Sequence, residues 1–450
     1  MQMPRGLRRI RWNWRYAVKS YLGGSLWLVP ILALVANQAF RVVVQWIDEW
    51  LLRAGMLDDT NSLLALSVTG ARSLLETVLT LNLSFLVFTF GSLLVAIQVA
   101  GGQYTPRIIA TTLLRDNVIR GTVGCFVFSL VFAVQVLSRT GESVHQLDIF
   151  LAALLGVISL MTFLFLIDYA ARLLRPISIV ARVGQFGTQV IRVIYPDPTV
   201  RPKPPVTRRL GEPDRTVLHA DASGVVLALN VKGLVAAARH ADGVVEFVPL
   251  VGDFLAVDEP LFRLYGNASA IDERWLRAAV VLGTERTLEQ DPAFAFRILV
   301  DIAIKALSAA INDPTTAVMA IDQLHHLLRL VGQRDLRGEE VRDAAGELRL
   351  VLRTPNWEDF VHLSCTEIRH CGAGSIQIVR RLRSMLVNLM QTLPRHRHAE
   401  LRGQLELLDR TIDEKFAFAE DRVLARVPDS QGLGGALGIQ PLDEALHPED

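Results

Sequence analysis

Apolar residues gather into four runs as long as a membrane crossing, and the charged positions stand between the runs rather than within them. Residues 21–40 carry no charge between Lys19 and Arg41, and about 20 helical residues cover the hydrocarbon core of a bilayer. A second run covers residues 81–100, a third residues 121–137 between Arg120 and Arg139, and a fourth residues 149–167 between Asp148 and Asp168. The pattern therefore predicts an α-helical membrane protein with four transmembrane helices. Asp48, Glu49, Asp58 and Asp59 form an acidic connector, after which Thr60 to Thr80 places Leu63, Leu64, Val68, Ala71, Leu74, Leu75 and Val78 at helical spacing.

The second run ends in a polar elbow. Gln98 stands near its end, and Gln103, Tyr104, Thr105 and Arg107 follow closely after Gly101 and Gly102. Lipid supplies no hydrogen-bond partners, so such groups face a bundle interior, a cavity, another subunit or water. These five are the candidate pore or junction residues, with Asn82, Ser84, Thr89, Ser92 and Gln98 as a conceivable pore lining. The plainer alternative is a helix that ends at the membrane surface in a wet loop. No charge lies near the middle of the second or fourth run, which speaks against a proton-coupled pump or voltage sensor.

Residues 199–215, rich in proline and arginine, read as a linker. Residues 216–266 alternate short β-branched runs with turns, as in VVLALN, GVVEFVPL and LFRLYG, and predict a small antiparallel barrel or sandwich. Its hairpin-like VGDFLAVDEPLFRL has no lysine at the tip to carry a lipoyl or biotinyl group. Residues 267–427 read as a helical domain and residues 428–450 as a disordered tail. Within the helical part Asp313 is placed to cap a helix that Pro314 opens, so two helices are expected to meet end to end at Asn312-Asp313-Pro314.

Composition and charge add location. With 51% hydrophobic residues, 21% charged residues and a net charge of +1, the 450-residue chain has material for membrane and soluble parts and is no nucleic-acid binder. The basic N-terminus, residues 1–19, holds Arg5, Arg8, Arg9, Arg11, Arg15 and Lys19 without an acid. The elbow and the segment after the fourth run are basic too. Lysine and arginine stay on the cytoplasmic side, so both termini are expected in the cytoplasm of a bacterium, with the chain in its inner membrane. Three scattered cysteines make no disulfide framework.

Catalytic motifs are missing: there is no GxSxG elbow, Walker glycine loop, HExxH or dinucleotide fingerprint. The expectation is no enzyme and no cofactor. His362, Cys365, His370 and Cys371 cluster without a regular zinc spacing, and His325 and His326 point to different sides of one helix, so no metal is expected. Asp291, Asp301, Lys305, Asn312, Asp313 and Asp322 form a polar series in the helical part, more readily read as a network docking helices than as a ligand site.

The segments FLVFTFGSLLVAIQVAGGQYTPRIIATTLLRD, VGDFLAVDEPLF and LVDIAIKALSAAINDPTTAVMAIDQL resemble a bacterial family of predicted multi-pass membrane proteins of unknown function. Gly101-Gly102 and Ser308-Ala309-Ala310 depart from the serine-rich pattern of that family. The resemblance brings no activity, cofactor or substrate; it implies that membrane and cytosolic parts act as one unit. The reading is a homo-oligomeric, channel-like protein in the lipid membrane, with the second span and elbow lining a path for an ion or small solute and a cytosolic gating domain. The alternative is a non-conducting scaffold or sensor that binds a protein or small ligand through the helical domain.

Overall fold

A computed structural model describes residues 12, 27–53, 67–103, 116–140, 146–173, 175–199, 210–336 and 340–435. The chain divides into two compact units, with the main boundary between Ser178 and Ile179.

In the N-terminal unit, α1 (Leu28–Arg53), α2 (Val68–Gln103), α3 (Asn117–Leu137) and α4 (Gln146–Leu173) are each long and apolar enough to cross a membrane. At 1.5 Å per residue the 36-residue α2 is about 54 Å long, well over the apolar thickness of a bilayer. Gly101 and Gly102 lie inside it, so the chain leaves the helix only after Gln103. Leu32, Val35, Val42 and Trp46 of α1, Val87 and Leu94 of α2, and Met161 and Phe165 of α4 are exposed, the surface a bilayer solvates. Inside, Ala71, Leu75 and Val78 pack with Phe132, Ala133, Val136, Ile149 and Ala152.

Two contacts set the register of α2 against α4. A Cβ added at Gly156 would lie 2.8 Å from Val78 Cγ2, and seven residues further along both helices Phe85 stacks on Phe163 at 4.2 Å. The helices therefore run in the same direction. Against α3 the numbers run oppositely: Asn82 reaches Ser129 while Phe85 meets Phe126.

The C-terminal unit takes up α5 (Pro176–Ile194) from Ile179 onward. It continues with β1 (Arg215–Leu218), β2 (Gly224–Leu229), α6 (Val231–Ala241), β3 (Gly243–Phe247), β4 (Phe254–Leu255), β5 (Pro260–Gly266), the short α7 (Glu273–Arg277) and β6 (Val280–Gly283). Then come α8 (Pro292–Ala306), α9 (Pro314–Gly332), β7 (Glu340–Arg342), β8 (Leu348–Leu352), α10 (Trp357–Cys371), α11 (Ile376–Thr392), α12 (His398–Lys415) and α13 (Ala419–Ala425). A five-stranded sheet has the order β1-β5-β3-β8-β7 and a three-stranded sheet the order β4-β2-β6. Val226, Phe247, Phe262 and Leu264 are among the side chains of their shared core.

This corrects the expected wholly antiparallel barrel or sandwich. β3 pairs in parallel with β8, Val245 opposite Leu350, and β8 comes from within the stretch read as helical. Strand alternation marks a half-buried strand but carries no information about which strand covers its edge.

The expected end-to-end junction is also corrected, because α8 and α9 pack along each other. Asn312 adopts a left-handed φ of 48°, and the Asp313 N–H donates to the Ala306 carbonyl at 2.7 Å, which turns the chain back. The caps are as expected: Asp313 accepts from the Thr316 N–H at 3.0 Å, and Asp291 does the same for α8 through the Phe294 N–H at 3.1 Å. α5 fits closely on this pair, since a Cβ at Gly187 would stand 2.9 Å from both Ala295 and Leu327.

The tail departs from expectation as well. Asp429 accepts from the N–H groups of Gln431, Gly432 and Gly434, and the buried Arg380 of α11 donates to the carbonyls of Val427, Gly434 and Gly435. Residues 428–435 are therefore folded onto α11, and residues 436–450 lie outside the described residues.

Candidate functional site

The expected pore residues separate. Gln98 is exposed on α2, and Gln103 is the last residue of that helix. Tyr104, Thr105 and Arg107 lie outside the described residues. Of the polar residues considered as a lining, Asn82 and Thr89 are buried inside the bundle of a single chain, and Ser84 is exposed. Residues five apart or two apart on a helix sit on different faces, so one run of polar residues cannot all line one path.

The structure brings forward a set of which the sequence reading named only Asn82, a buried polar residue near the middle of every span. These are Asn37 of α1, Asn82 of α2, Ser129 of α3 and Ser159 of α4, none more than 1% exposed. Asn82 Nδ2 donates to the Val78 carbonyl at 2.8 Å and to Ser129 Oγ at 3.2 Å. Asn37 Nδ2 donates to the Phe128 carbonyl at 3.0 Å. Asn37 Oδ1, Asn82 Oδ1 and Ser159 Oγ have no partner among the described residues. The register of α2 against α4 puts Ser159, three residues past Gly156, near the level of Asn82, four past Val78. In the apolar runs Ser129 and Ser159 stand near a midpoint but Asn37 and Asn82 near an end, so the common level shows only once the helices extend beyond the runs.

Next to this layer Phe85, Phe126 and Phe163 meet with centroids 4.2 to 6.5 Å apart and fill the space between α2, α3 and α4. Beyond the rings a cavity of about 120 Å³ lies among Thr89, Ser92, Ala96, Ile119, Leu166 and Ala170. At that end of the unit Asp116 caps α3 through the Val118 N–H at 2.9 Å, and Tyr169 donates its hydroxyl to Asp116 at 2.6 Å. Packed aromatic rings therefore close the space between α2, α3 and α4 at this level.

The polar series of the C-terminal unit divides into separate pairings. Asp291 is 2% exposed and paired with Arg286; burial pushes its carboxyl up, opposed by Arg286 and the cap N–H groups. Asp301 accepts from Arg297 Nε at 2.7 Å, and Arg297 also reaches Glu367 of α10 at 3.0 Å. Lys305 lies one turn beyond Asp301, on the same helix. Asp322 accepts from Arg381 Nε at 2.6 Å. Arg381 also lies 3.3 Å from His325 Nδ1, and the other ring nitrogen of His325 lies 2.9 Å from Asn388 Oδ1. Burial and the Arg381 charge hold His325 below its ordinary pKa. Asn312 and Asp313 serve the turn. Each pairing links α8 or α9 to a neighbouring segment, which is packing chemistry.

His326 faces Thr188 of α5 at 3.3 Å, away from His325. His362 is 3.2 Å from the Gln404 amide nitrogen, Cys365 is buried and Cys371 exposed. Among the described residues no group of His, Cys, Asp and Glu is arranged to hold a metal ion.

Four apolar helices with a polar midsection, followed by a unit of two sheets and packed helices, define an integral membrane protein with an α+β C-terminal part. The chain belongs to the family described as predicted membrane protein (DUF2254), which matches residues 23–388. Uncharacterized proteins of Mycobacterium bovis and Mycobacterium tuberculosis are each 25% identical to it over 427 residues, 92% of this chain and 81% of theirs. No solved structure matches it.

Proposed function

We propose that this chain is a channel-like transport protein: several copies assemble so that α2 lines a shared path for an ion or small solute, and the C-terminal unit gates it. The observation that carries this reading is the outward face of α2. Thr77, Ser84, Gly91 and Gln98 are exposed at intervals of seven residues, amid large apolar neighbours such as Val87, Phe88, Leu94 and Val95. Seven residues are close to two helical turns, so the four share one stripe. A Cβ at Gly91 would meet nothing within 4 Å. Polar groups at membrane depth favour water or another subunit over lipid. The aromatic block inside the bundle also favours a path between chains over one through a single chain.

In this reading Gln103, which ends α2, and Tyr104, Thr105 and Arg107, which follow it in the sequence, are the first positions to test for selectivity. The basic residues of the N-terminus, and those after α4, support termini in the cytoplasm and a bacterial inner membrane. The role involves no chemical turnover, since no catalytic motif is present. Protein reconstituted in planar bilayers is expected to conduct, and Ser84→Leu with Gln98→Leu to abolish or alter selectivity. A cysteine at position 91 is expected to cross-link two copies. Silence across voltage, tension and salt gradients from protein that is monomeric in detergent would end the proposal.

A non-conducting sensor is the second reading, favoured by a ligand-sized pocket of the C-terminal unit. It predicts silent bilayers together with ligand-dependent stabilisation.

A further inference from the structure

That pocket shares no residue with the polar series of α8 and α9. It has a volume of about 460 Å³, within the roughly 300–1,000 Å³ usual for small-molecule sites. Its apolar wall includes Leu261 and Val280, which are buried in the core between the sheets, and Leu282. Its polar side is His219, Asp221, Arg274 and Arg277.

Two of these polar groups, His219 and Arg277, are held in place before any ligand arrives. His219 is 1% exposed, and its Nε2 lies 3.1 Å from the Ala222 carbonyl. A carbonyl only accepts, so Nε2 carries the proton and the ring is held in place. Arg277 donates Nε to the Leu218 carbonyl at 3.1 Å and pairs with Glu273, which fixes its guanidinium plane. Arg274 stands three residues earlier on the same helical turn and lines the same pocket. Among the described residues its guanidinium has no side-chain hydrogen bond or ion pair. Asp221 is the one carboxylate in the lining, against two guanidinium groups.

We infer that this pocket binds a small anion, a phosphate or carboxylate group on an apolar body, seated between Arg274 and Arg277 with its apolar part against Leu261 and Val280. A planar guanidinium matches such oxyanions through two parallel hydrogen bonds, and the free one forms them without breaking a protein contact. Asp221 disfavours a second anionic group on its side of the pocket and accepts from a ligand hydroxyl. The inference does not depend on conduction, because binding alone tests it.

The experiment uses the full chain in detergent micelles, with calorimetry and thermal shift. The probes are inorganic phosphate, hexyl phosphate, hexanoate and dihexanoyl phosphatidic acid. Hexyl phosphate or hexanoate is expected to bind at least about tenfold more tightly than inorganic phosphate, because of the apolar wall. Arg274→Ala is expected to weaken that binding about tenfold or more while leaving the ligand-free melting temperature unchanged, since Arg274 holds no other part of the fold. Arg239→Ala, on the exposed side of α6, is expected to leave binding unaltered. A preference for the phosphatidic acid assigns the site to a lipid headgroup and a preference for hexyl phosphate or hexanoate to a soluble metabolite; both support an anion site. No binding by any probe, or equal binding by Arg274→Ala and the unaltered chain, overturns it.

Discussion

Arg380 is the side chain whose replacement has the most clearly defined consequence. It is wholly buried. Its Nε donates to the Val427 carbonyl at 3.0 Å, and its Nη1 to the carbonyls of Gly434 and Gly435 at 3.2 and 2.7 Å. Hydrogen bonds from a charged donor contribute about 1.5–3 kcal/mol each and do not add. Arg380→Met keeps the apolar stem, removes all of them, and also relieves the desolvation of a buried cation. The released carbonyls belong to a terminal segment that water can reach on opening. The net loss is therefore set at about 2–4 kcal/mol, felt by residues 427–435 rather than by the whole unit. An opening equilibrium of that kind shifts by about 30- to 1,000-fold, read as faster hydrogen exchange or proteolysis confined to the tail. Equal protection in both proteins would refute the reasoning. A pH arm comes from Asp429. Burial raises its carboxyl pKa, but the N–H groups of Gly434, Gly432 and Gln431, with Arg380, bring it below the ordinary value. A carboxylate so held stabilises the fold above its unfolded pKa of about 3.9, and that stabilisation is lost as pH falls through the folded value. Tail protection is thus expected to be full at neutral pH and to disappear only in acid below about pH 4.

Three further outcomes are expected. Gly187→Val puts branched carbon where Ala295 and Leu327 already stand 2.9 Å from a Cβ, so the C-terminal unit is expected to lose about 1–3 kcal/mol in denaturant unfolding; no loss would mean that α5 does not seat on α8 and α9. Asn82→Leu removes an interhelical hydrogen bond of about 0.6 kcal/mol together with an unpartnered buried carbonyl that costs about 1–3 kcal/mol, so detergent melting is expected to be unchanged or higher, and a loss beyond about 2 kcal/mol would show Oδ1 to be engaged. In a Cys125→Ser background, maleimide at neutral pH is expected to label the exposed Cys371 and to spare Cys365, whose thiol burial pushes up to about 12; prompt labelling of Cys365 in the folded protein would contradict its burial.

What the sequence alone determined about this protein is what depends on near neighbours. Four spans result from the length of uncharged runs, which is a count along the chain. The caps at Asp291 and Asp313 rest on a carboxylate two or three residues before the N–H it accepts, next to a proline that tolerates the first turn. Tertiary structure decided what depends on residues far apart. Asn37, Ser129 and Ser159 read as isolated polar residues, and Asn82 as one of a pore lining, until helix packing buries one near the middle of every span. The pairing of β3 with β8 joins residues more than a hundred apart, and Arg380 looks like one of three arginines in a charged helix until the tail covers it. The pocket at His219 draws on a loop, two strands and one turn of helix, none carrying a motif of its own. Periodicity states which face of an element is buried; only packing states against what.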